Sequence, residues 1–276
     1  MPRRRPDVPL ARSIARRAGA LCAGAIAERV AYLVSCEHGG NHIPQRFAAL
    51  FRGCRHLLDS HRGYDPGALG TARDLARALG ATLVTSTVSR LLVELNRSPG
   101  RQFRYSPIMR SAPPDVRDEV CRRYYIPYRQ QVEAFVARAH ASRTRVVHIS
   151  SHSFTPSLDG SVRYADVGLL YDPDRADERA LCLRWQHALL SHRRQWTVRR
   201  NYPYLGRSDG VTSYLRKRFD AVAYVGIELE VNQKHVQNGI VPARDRTAIV
   251  DALLDALDGA GFSVSREAIV NAKDAA

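Results

Sequence analysis

From residue 30 onward, short apolar runs rich in β-branched residues alternate with longer segments of helical periodicity. The strand candidates are Val30–Cys36, Ala81–Ser86, Arg90–Leu95, Arg145–Ser150, Val167–Tyr171 and Ala221–Val231. Pro66–Leu79, Asp115–Ala141, Asp174–Ser191 and Pro242–Asp258 read as helices. The first of these has Asp65 placed as its cap, Pro66 at a position where its missing N–H costs nothing, and Gly80 as its stop. Strands separated by helices pair in parallel, and a parallel sheet must be covered on both faces. The pattern therefore predicts a single α/β domain over residues 29–265, with a central, mostly parallel sheet flanked by helices. A basic tail or short helix over 1–28 precedes it, and a C-terminal tail over 266–276 follows.

Composition narrows the function classes. The formal charge is +15, yet lysine occurs only at 217, 234 and 273, so the excess is almost entirely arginine. Those arginines are scattered along the whole chain and form no stripe of the kind that tracks a phosphate backbone. We expect no nucleic-acid partner; the charge favours a small anionic substrate. The five cysteines (22, 36, 54, 121 and 182) include no C-x-x-C pair and read as reduced thiols of a cytoplasmic protein. No run reaches the roughly 18 apolar residues of a membrane span. The basic residues before the alanine- and glycine-rich stretch 18–27 loosely resemble an export signal, but only Leu21 and Ile26 are bulky there, so a tail is expected.

In an open α/β sheet ligands bind where the strands end at their carboxyl side. That rule selects four short stretches: Glu37-His38-Gly39-Gly40-Asn41, Asn96-Arg97-Ser98, Ser151-His152-Ser153, and Glu228 to Gln233. His38 and His152, brought together by neighbouring strands, offer two imidazoles. With a carboxylate, and a fourth position left open, they describe a catalytic metal site. Gly39 and Gly40 would let the backbone approach the metal closely. Glu230 or Glu228, on one face of the last strand, can take a proton from water. Arg97 presents a planar fork for a substrate carboxylate. Each has a plainer reading: a structural histidine, a helix cap for Asp65, an ordinary ion pair for the glutamates or arginine. His42 is read as surface or as a neighbour of the ligands, because Gly39, Gly40 and Pro44 oppose a helix that would align it with His38. Phosphate loops and a G-x-S-x-G elbow are absent.

Taken in order, SCEHGGNHIP, HRGYDPGA, SRLLVELNR, SSHSFTP and GIELEVNQ resemble the N-formylglutamate amidohydrolase family, over about residues 30 to 235. The resemblance implies a zinc-peptidase-like fold, similar to the zinc carboxypeptidase and aspartoacylase group, with one Zn²⁺ at the strand ends. It implies removal of formate from N-formylglutamate, or a related cleavage of an N-acyl amino acid. It makes His38 and His152 metal ligands, Glu230 the base in preference to Glu228, and Asn96-Arg97 the holder of a substrate carboxylate, with Arg90, Arg163, Arg200 and Arg216 as further candidates. The wider group uses His-x-x-Glu, whereas here the third residue after His38 is Asn41. The acidic ligand is then assigned to Asp65, with His61 or Glu37 as alternatives. Residues 163–175 and 199–216 depart from the formylglutamate-specific pattern. Two rival readings stand beside this one: a carboxypeptidase-like hydrolase of peptides or cell-wall fragments, and a non-catalytic basic protein that binds nucleic acid or an acidic partner.

Overall fold

A computed structural model describes residues 29–100 and 104–262; the tails expected over 1–28 and 266–276 lie outside the described residues. Five of the six strand candidates are strands. They are β1 (Val30–Cys36), β2 (Thr82–Thr85), β3 (Arg145–Phe154), β6 (Val167–Leu170) and β8 (Tyr224–Asn232). A small hairpin, β4 (Ser157–Leu158) and β5 (Ser161–Val162), and the edge strand β7 (Val198–Arg200) complete the set. The main sheet runs β2-β1-β3-β8-β6-β7, parallel throughout except that β6 is antiparallel to β8. Arg90–Leu95 is the exception. Leu92 and Val93 donate backbone hydrogen bonds to Ser89 O, which makes a turn where a ladder was expected. Leu91, Leu92, Val93 and Leu95 are nonetheless buried. An apolar run buried on all sides looks the same in sequence whether it extends or turns.

The helices that frame the sheet and the site are α1 (Ala68–Leu79), α2 (Ile126–Ala141), α3 (Ala176–His192), α4 (Val211–Arg216) and α5 (Ala243–Asp258). The long helix expected over Asp115–Ala141 is interrupted. An α-helical stretch, Pro114–Val120, passes through a π turn at Cys121–Tyr125 before α2 begins. Pro127 cannot donate the hydrogen bond a continuous α-helix needs there, and the wider turn accommodates that loss.

Side chains alternate across the sheet with period two. One face of β1, β3 and β8 presents Tyr32, Val34, Val147, Ile149, Val225, Ile227 and Leu229 to α1, α3 and α5 in one core. The other presents Leu33, Val146 and Tyr224 to α2 and α4 in a second. On that second face the strands turn polar toward their carboxyl ends, through His148, Ser150 and His152 on β3 and Glu228 and Glu230 on β8. Parallel register sets Ser150 beside Glu228 and His152 beside Glu230. Glu230 lies inside its strand as expected, and His152 does too, because β3 runs four residues past its expected end at Ser150.

His148, fully buried, faces Tyr224 OH at 2.7 Å and Ser35 Oγ at 2.8 Å. Burial pushes its pKa down to about 4, so the core holds the neutral ring. The unfolded chain takes up that proton near pH 6.5. This contribution to stability is complete above pH 6.5 and is lost as the pH falls toward 4, on the order of 3 kcal/mol over the window. In urea melts, the stability gap between wild type and His148→Gln should shrink between pH 7 and 4.5. A gap independent of pH would show that His148 does not titrate this way.

Candidate active site

Each functional side chain has a definite local origin. His38 lies two residues past the end of β1, and the chain then turns through Gly39 and Gly40 against the end of β2. Gly39 N donates to Ser86 O at 2.9 Å, and a Cβ on Gly40 would stand 2.7 Å from Thr87 O. Both glycines therefore serve the close passage of two backbones, not an approach to a metal as the sequence suggested. Asp65 is anchored by its own N–H, which donates to His38 O at 2.9 Å. It does not cap α1. The N-cap is Gly67 in the left-handed region (φ 82°), with no side-chain cap, and α1 begins at Ala68. A Cβ at Gly67 would lie 2.7 Å from a Val241 methyl, so neither the backbone angle nor the space suits another residue.

Freed from capping, the Asp65 carboxylate points into the sheet's carboxyl end. Its Oδ2 lies 3.1 Å from His38 Nδ1 and 2.9 Å from His152 Nδ1, and its Oδ1 accepts from Arg90 at 3.1 Å. Among the described residues, His38, Asp65 and His152 form a buried cluster able to hold a metal ion, with one ligand atom from each within 4.8 Å of the others. His61 and Glu37, the alternative third ligands, are not in it. His61 is half-exposed. Glu37 is completely buried behind His152, 3.2 Å from its Nε2, and accepts from Tyr128 OH and Ser150 Oγ at 2.8 Å each. Glu94 backs His38 in the same way through Nε2. Each imidazole is thus held between Asp65 on its Nδ1 side and a second carboxylate on its Nε2 side. Outer carboxylates of this kind fix the ring orientation of metal-ligating histidines and raise their basicity. His42 is exposed.

The electrostatics follow from this packing. Burial alone would raise Asp65, Glu37 and Glu94, but the facing histidines, with Arg90 beside Asp65 and Glu94, hold all three well below the usual carboxylate range. Burial would lower His152, yet hydrogen bonds to Asp65 and Glu37 push it well up. Glu230 goes the other way. Burial, followed by the charges of Asp65 and Glu228, pushes it up to about 8 against the pull of His152, and its Oε2 is buried with no hydrogen-bond partner. An unpartnered buried carboxylate oxygen beside two histidines and an aspartate is the feature least explained by stability alone.

His38, Asp65, His152 and Glu230 line one cavity of about 340 Å³, together with Arg90, Asn96, Arg97, Tyr204, Asp209 and Glu228. Asn96 Oδ1 accepts from Val211 N at 2.7 Å, at the start of α4. Arg97 donates to the Asp209 carbonyl at 2.5 Å. Arg90 donates to Glu94 at 2.9 and 2.5 Å as well as to Asp65, so its guanidinium braces the acids around the histidines. Glu228 accepts from Thr212 Oγ1. Arg216 and Arg200 are committed elsewhere. Arg216 is buried against Glu178 and the carbonyls of Gly206 and Gly226, and Arg200 donates to Tyr171 OH.

The donor set suits a divalent cation: two imidazoles and one carboxylate converge, both rings are oriented from behind, and acids dominate the surroundings. Strand-end position singled out His38, His152 and the pair Glu228 and Glu230 in the sequence, whereas Asp65 as a ligand and Glu230 over Glu228 came from the family resemblance. Neither singled out Glu94 or Tyr128, whose only signal was a polar residue within an apolar run for the first and a tyrosine on a helix face for the second.

Comparison with known proteins agrees with this architecture. The structure of gene product Atu2144 from Agrobacterium tumefaciens is similar at a TM-score of 0.67 and 29% identity, over 83% of this chain and 90% of that one. The crystal structure of N-formylglutamate amidohydrolase from Ralstonia eutropha JMP134 is similar at a TM-score of 0.61 and 20% identity, over 87% of this chain and 96% of that one. At that identity the second likeness concerns the fold. None of the curated proteins matches the chain significantly. The family profile described as N-formylglutamate amidohydrolase matches residues 30–237, from β1 through the end of β8 and the turn beyond it. With three quarters of its length so matched, and a sheet of the same kind beneath the cluster, the chain belongs to the N-formylglutamate amidohydrolase family, a family of amide-bond hydrolases.

Proposed function

We propose that the protein is a zinc-dependent amidohydrolase that cleaves the amide bond of an N-acyl amino acid, with N-formylglutamate as the reference substrate. One observation carries this reading: two imidazole nitrogens converge on one Asp65 oxygen, beside the unpartnered Oε2 of Glu230, in a single cavity. His38, Asp65 and His152 would hold the ion. When bound, a divalent cation supplies Lewis acidity to the substrate carbonyl and to water. The rest is the chain's own work. Arg97 receives the substrate's carboxylate and orients the amide, with Asn96 holding the adjoining turn. Glu230 takes a proton from the attacking water as the new C–O bond forms. As the C–N bond breaks, the same carboxyl delivers that proton to the departing amine. Its raised pKa suits a group that must both accept and return a proton near neutral pH, and a cation beside it would bring that value down.

Elemental analysis of the purified protein should find close to one divalent ion per chain, reduced by orders of magnitude in His38→Ala and His152→Ala. Protein that folds normally yet takes up no zinc would end the hydrolase reading and promote the basic binding protein. Asp65→Asn should also lose metal, with little change in the helix that follows it, because Asp65 caps nothing there.

Glu230→Gln separates base from ligand: metal content stays, and turnover of N-formylglutamate falls by at least about a hundredfold. If Glu228→Gln proves the crippled variant instead, the base is two residues earlier on β8. Arg97→Lys keeps the charge but loses the fork, so turnover should drop, and removing the substrate's α-carboxylate should harm wild type more than the variant. Equal cleavage of the acid and its α-amide by wild type would remove Arg97 from carboxylate recognition. A preference for N-acylated peptides would favour the carboxypeptidase-like rival.

A further inference from the structure

The cavity is polar at its floor and changes character at its mouth. Tyr204 and Leu205 line it there while standing 45% and 64% exposed. Among the described residues, no other exposed large hydrophobic side chain lines this cavity. Their loop is not loose. Asn201 Oδ1 accepts from Tyr171 N at 3.0 Å and Gly206 N at 3.1 Å, and Arg216 donates to the Gly206 carbonyl at 2.6 Å. A Cβ on Gly206 would stand 2.2 Å from Tyr171 N, so the loop lies flat against the chain leaving β6. On β6 itself, Gly168 has room for no side chain either, because the Tyr202 carbonyl would meet it at 1.8 Å. Arg163 steadies the tip, its guanidinium 5.1 Å from the Tyr204 ring centre and donating to the hydroxyl at 3.2 Å. Two apolar side chains are therefore held still, uncovered, at the entrance to a reactive centre.

Charge decides what should cover them. Among the described residues the arginines on the cavity wall are Arg90 and Arg97; Arg90 already holds Asp65 and Glu94, so Arg97 is the one assigned to the substrate carboxylate. Glu228 and Glu230 line the same cavity. A second carboxylate on the substrate, as in a glutamate side chain, would face Glu228 and Glu230 once Arg97 is engaged. An apolar side chain would meet no such opposition and would cover Tyr204 and Leu205.

We propose that Tyr204 and Leu205 form a side-chain subsite, so that N-acyl amino acids with apolar or aromatic side chains are hydrolysed in preference to N-acyl dicarboxylic amino acids. The proposal rests on the amidohydrolase reading for the word hydrolysed, but the subsite itself is tested by binding as well.

The experiment compares kcat/KM of the zinc-loaded, full-length protein on N-formyl-L-phenylalanine, N-formyl-L-glutamate and N-formyl-L-alanine. In parallel, calorimetry follows equilibrium binding of free L-phenylalanine and L-alanine. Wild type should favour the phenylalanine compound by about tenfold over each of the others, the scale on which an apolar pocket discriminates. In Leu205→Ser and Tyr204→Ser the phenylalanine-to-alanine ratio should fall by about the same factor in turnover and in binding. Unchanged ratios in both variants would overturn the subsite. So would a preference for N-formyl-L-glutamate that disappears in Arg163→Gln, since Arg163 would then be reading a second carboxylate. If no N-formyl amino acid is hydrolysed, the amidohydrolase reading fails by itself, and the binding ratios still decide the subsite.

Discussion

A single carboxylate oxygen, Asp65 Oδ2, lies between the Nδ1 atoms of two histidines 114 positions apart (His38 and His152) and joins three separate pieces of chain at one point. His38 comes from the loop after β1, Asp65 from the turn before α1, and His152 from the end of β3. None of these can shift without breaking the convergence, and each is tied elsewhere. Asp65 N donates to His38 O, and Ser151 and Ser153, on the opposite face of β3, donate to the carbonyls of Ala68 and Pro66. The backbone ties place the start of α1 and the floor of the site as one unit. This placement costs a good helix cap. An aspartate that caps a helix points at backbone N–H groups, whereas this one points at imidazoles, and Gly67 takes over the turn.

Beneath that point lies a polar column that an ordinary sheet core would not tolerate. Ser35, His148 and Tyr224 form one layer, and Glu37, Ser150 and Tyr128 the next. Each member has a partner, which is the condition under which buried polar groups rigidify a core instead of weakening it. The column explains why the face toward α2 carries functional groups and the face toward α1 does not. Period-two alternation assigns every second residue of β3 and β8 to the same side, so a polar choice at His152 and Glu230 continues into Ser150 and Glu228. Satisfaction stops at Glu230 Oε2, at the open end of the column, where a reacting molecule can supply the missing contact.

Much of this was legible in the sequence, for physical reasons. A parallel sheet buried on both faces produces continuous apolar runs, and its ligands gather at carboxyl ends; those two facts bring His38, His152 and Glu230 into view without any coordinates. Asp65 was ambiguous because a capping aspartate and a site aspartate occupy the same position before a helix, and only the direction of the side chain separates them. The turn at Arg90–Leu95 could not be told from a strand because its leucines and valine are buried on every side. Its consequence reaches into the site: as a turn it delivers Arg90 and Glu94 to the same place, four residues apart, where a strand would have carried them about 13 Å along its axis. The role of Arg90 as a brace was therefore hidden by a secondary-structure ambiguity, not by an ambiguity about arginine.

The chain's overall charge and its local charge have opposite signs, and the two serve different steps. A chain carrying a formal +15 draws anions from a distance, an effect that weakens with ionic strength. Asp65, Glu228 and Glu230 on the cavity wall, with Glu37 and Glu94 behind the histidines, outnumber Arg90 and Arg97, a balance that would hold a cation and repel surplus negative charge. An anionic substrate attracted by the first field meets the second only after Arg97 has matched its carboxylate. The number of carboxylates a substrate can bring inside is then limited by the arginines that, among the described residues on the cavity wall, are not already held by its acids. This ordering, long-range attraction followed by short-range selection, follows from where the chain keeps its acids: buried among the histidines, with the arginine excess left outside.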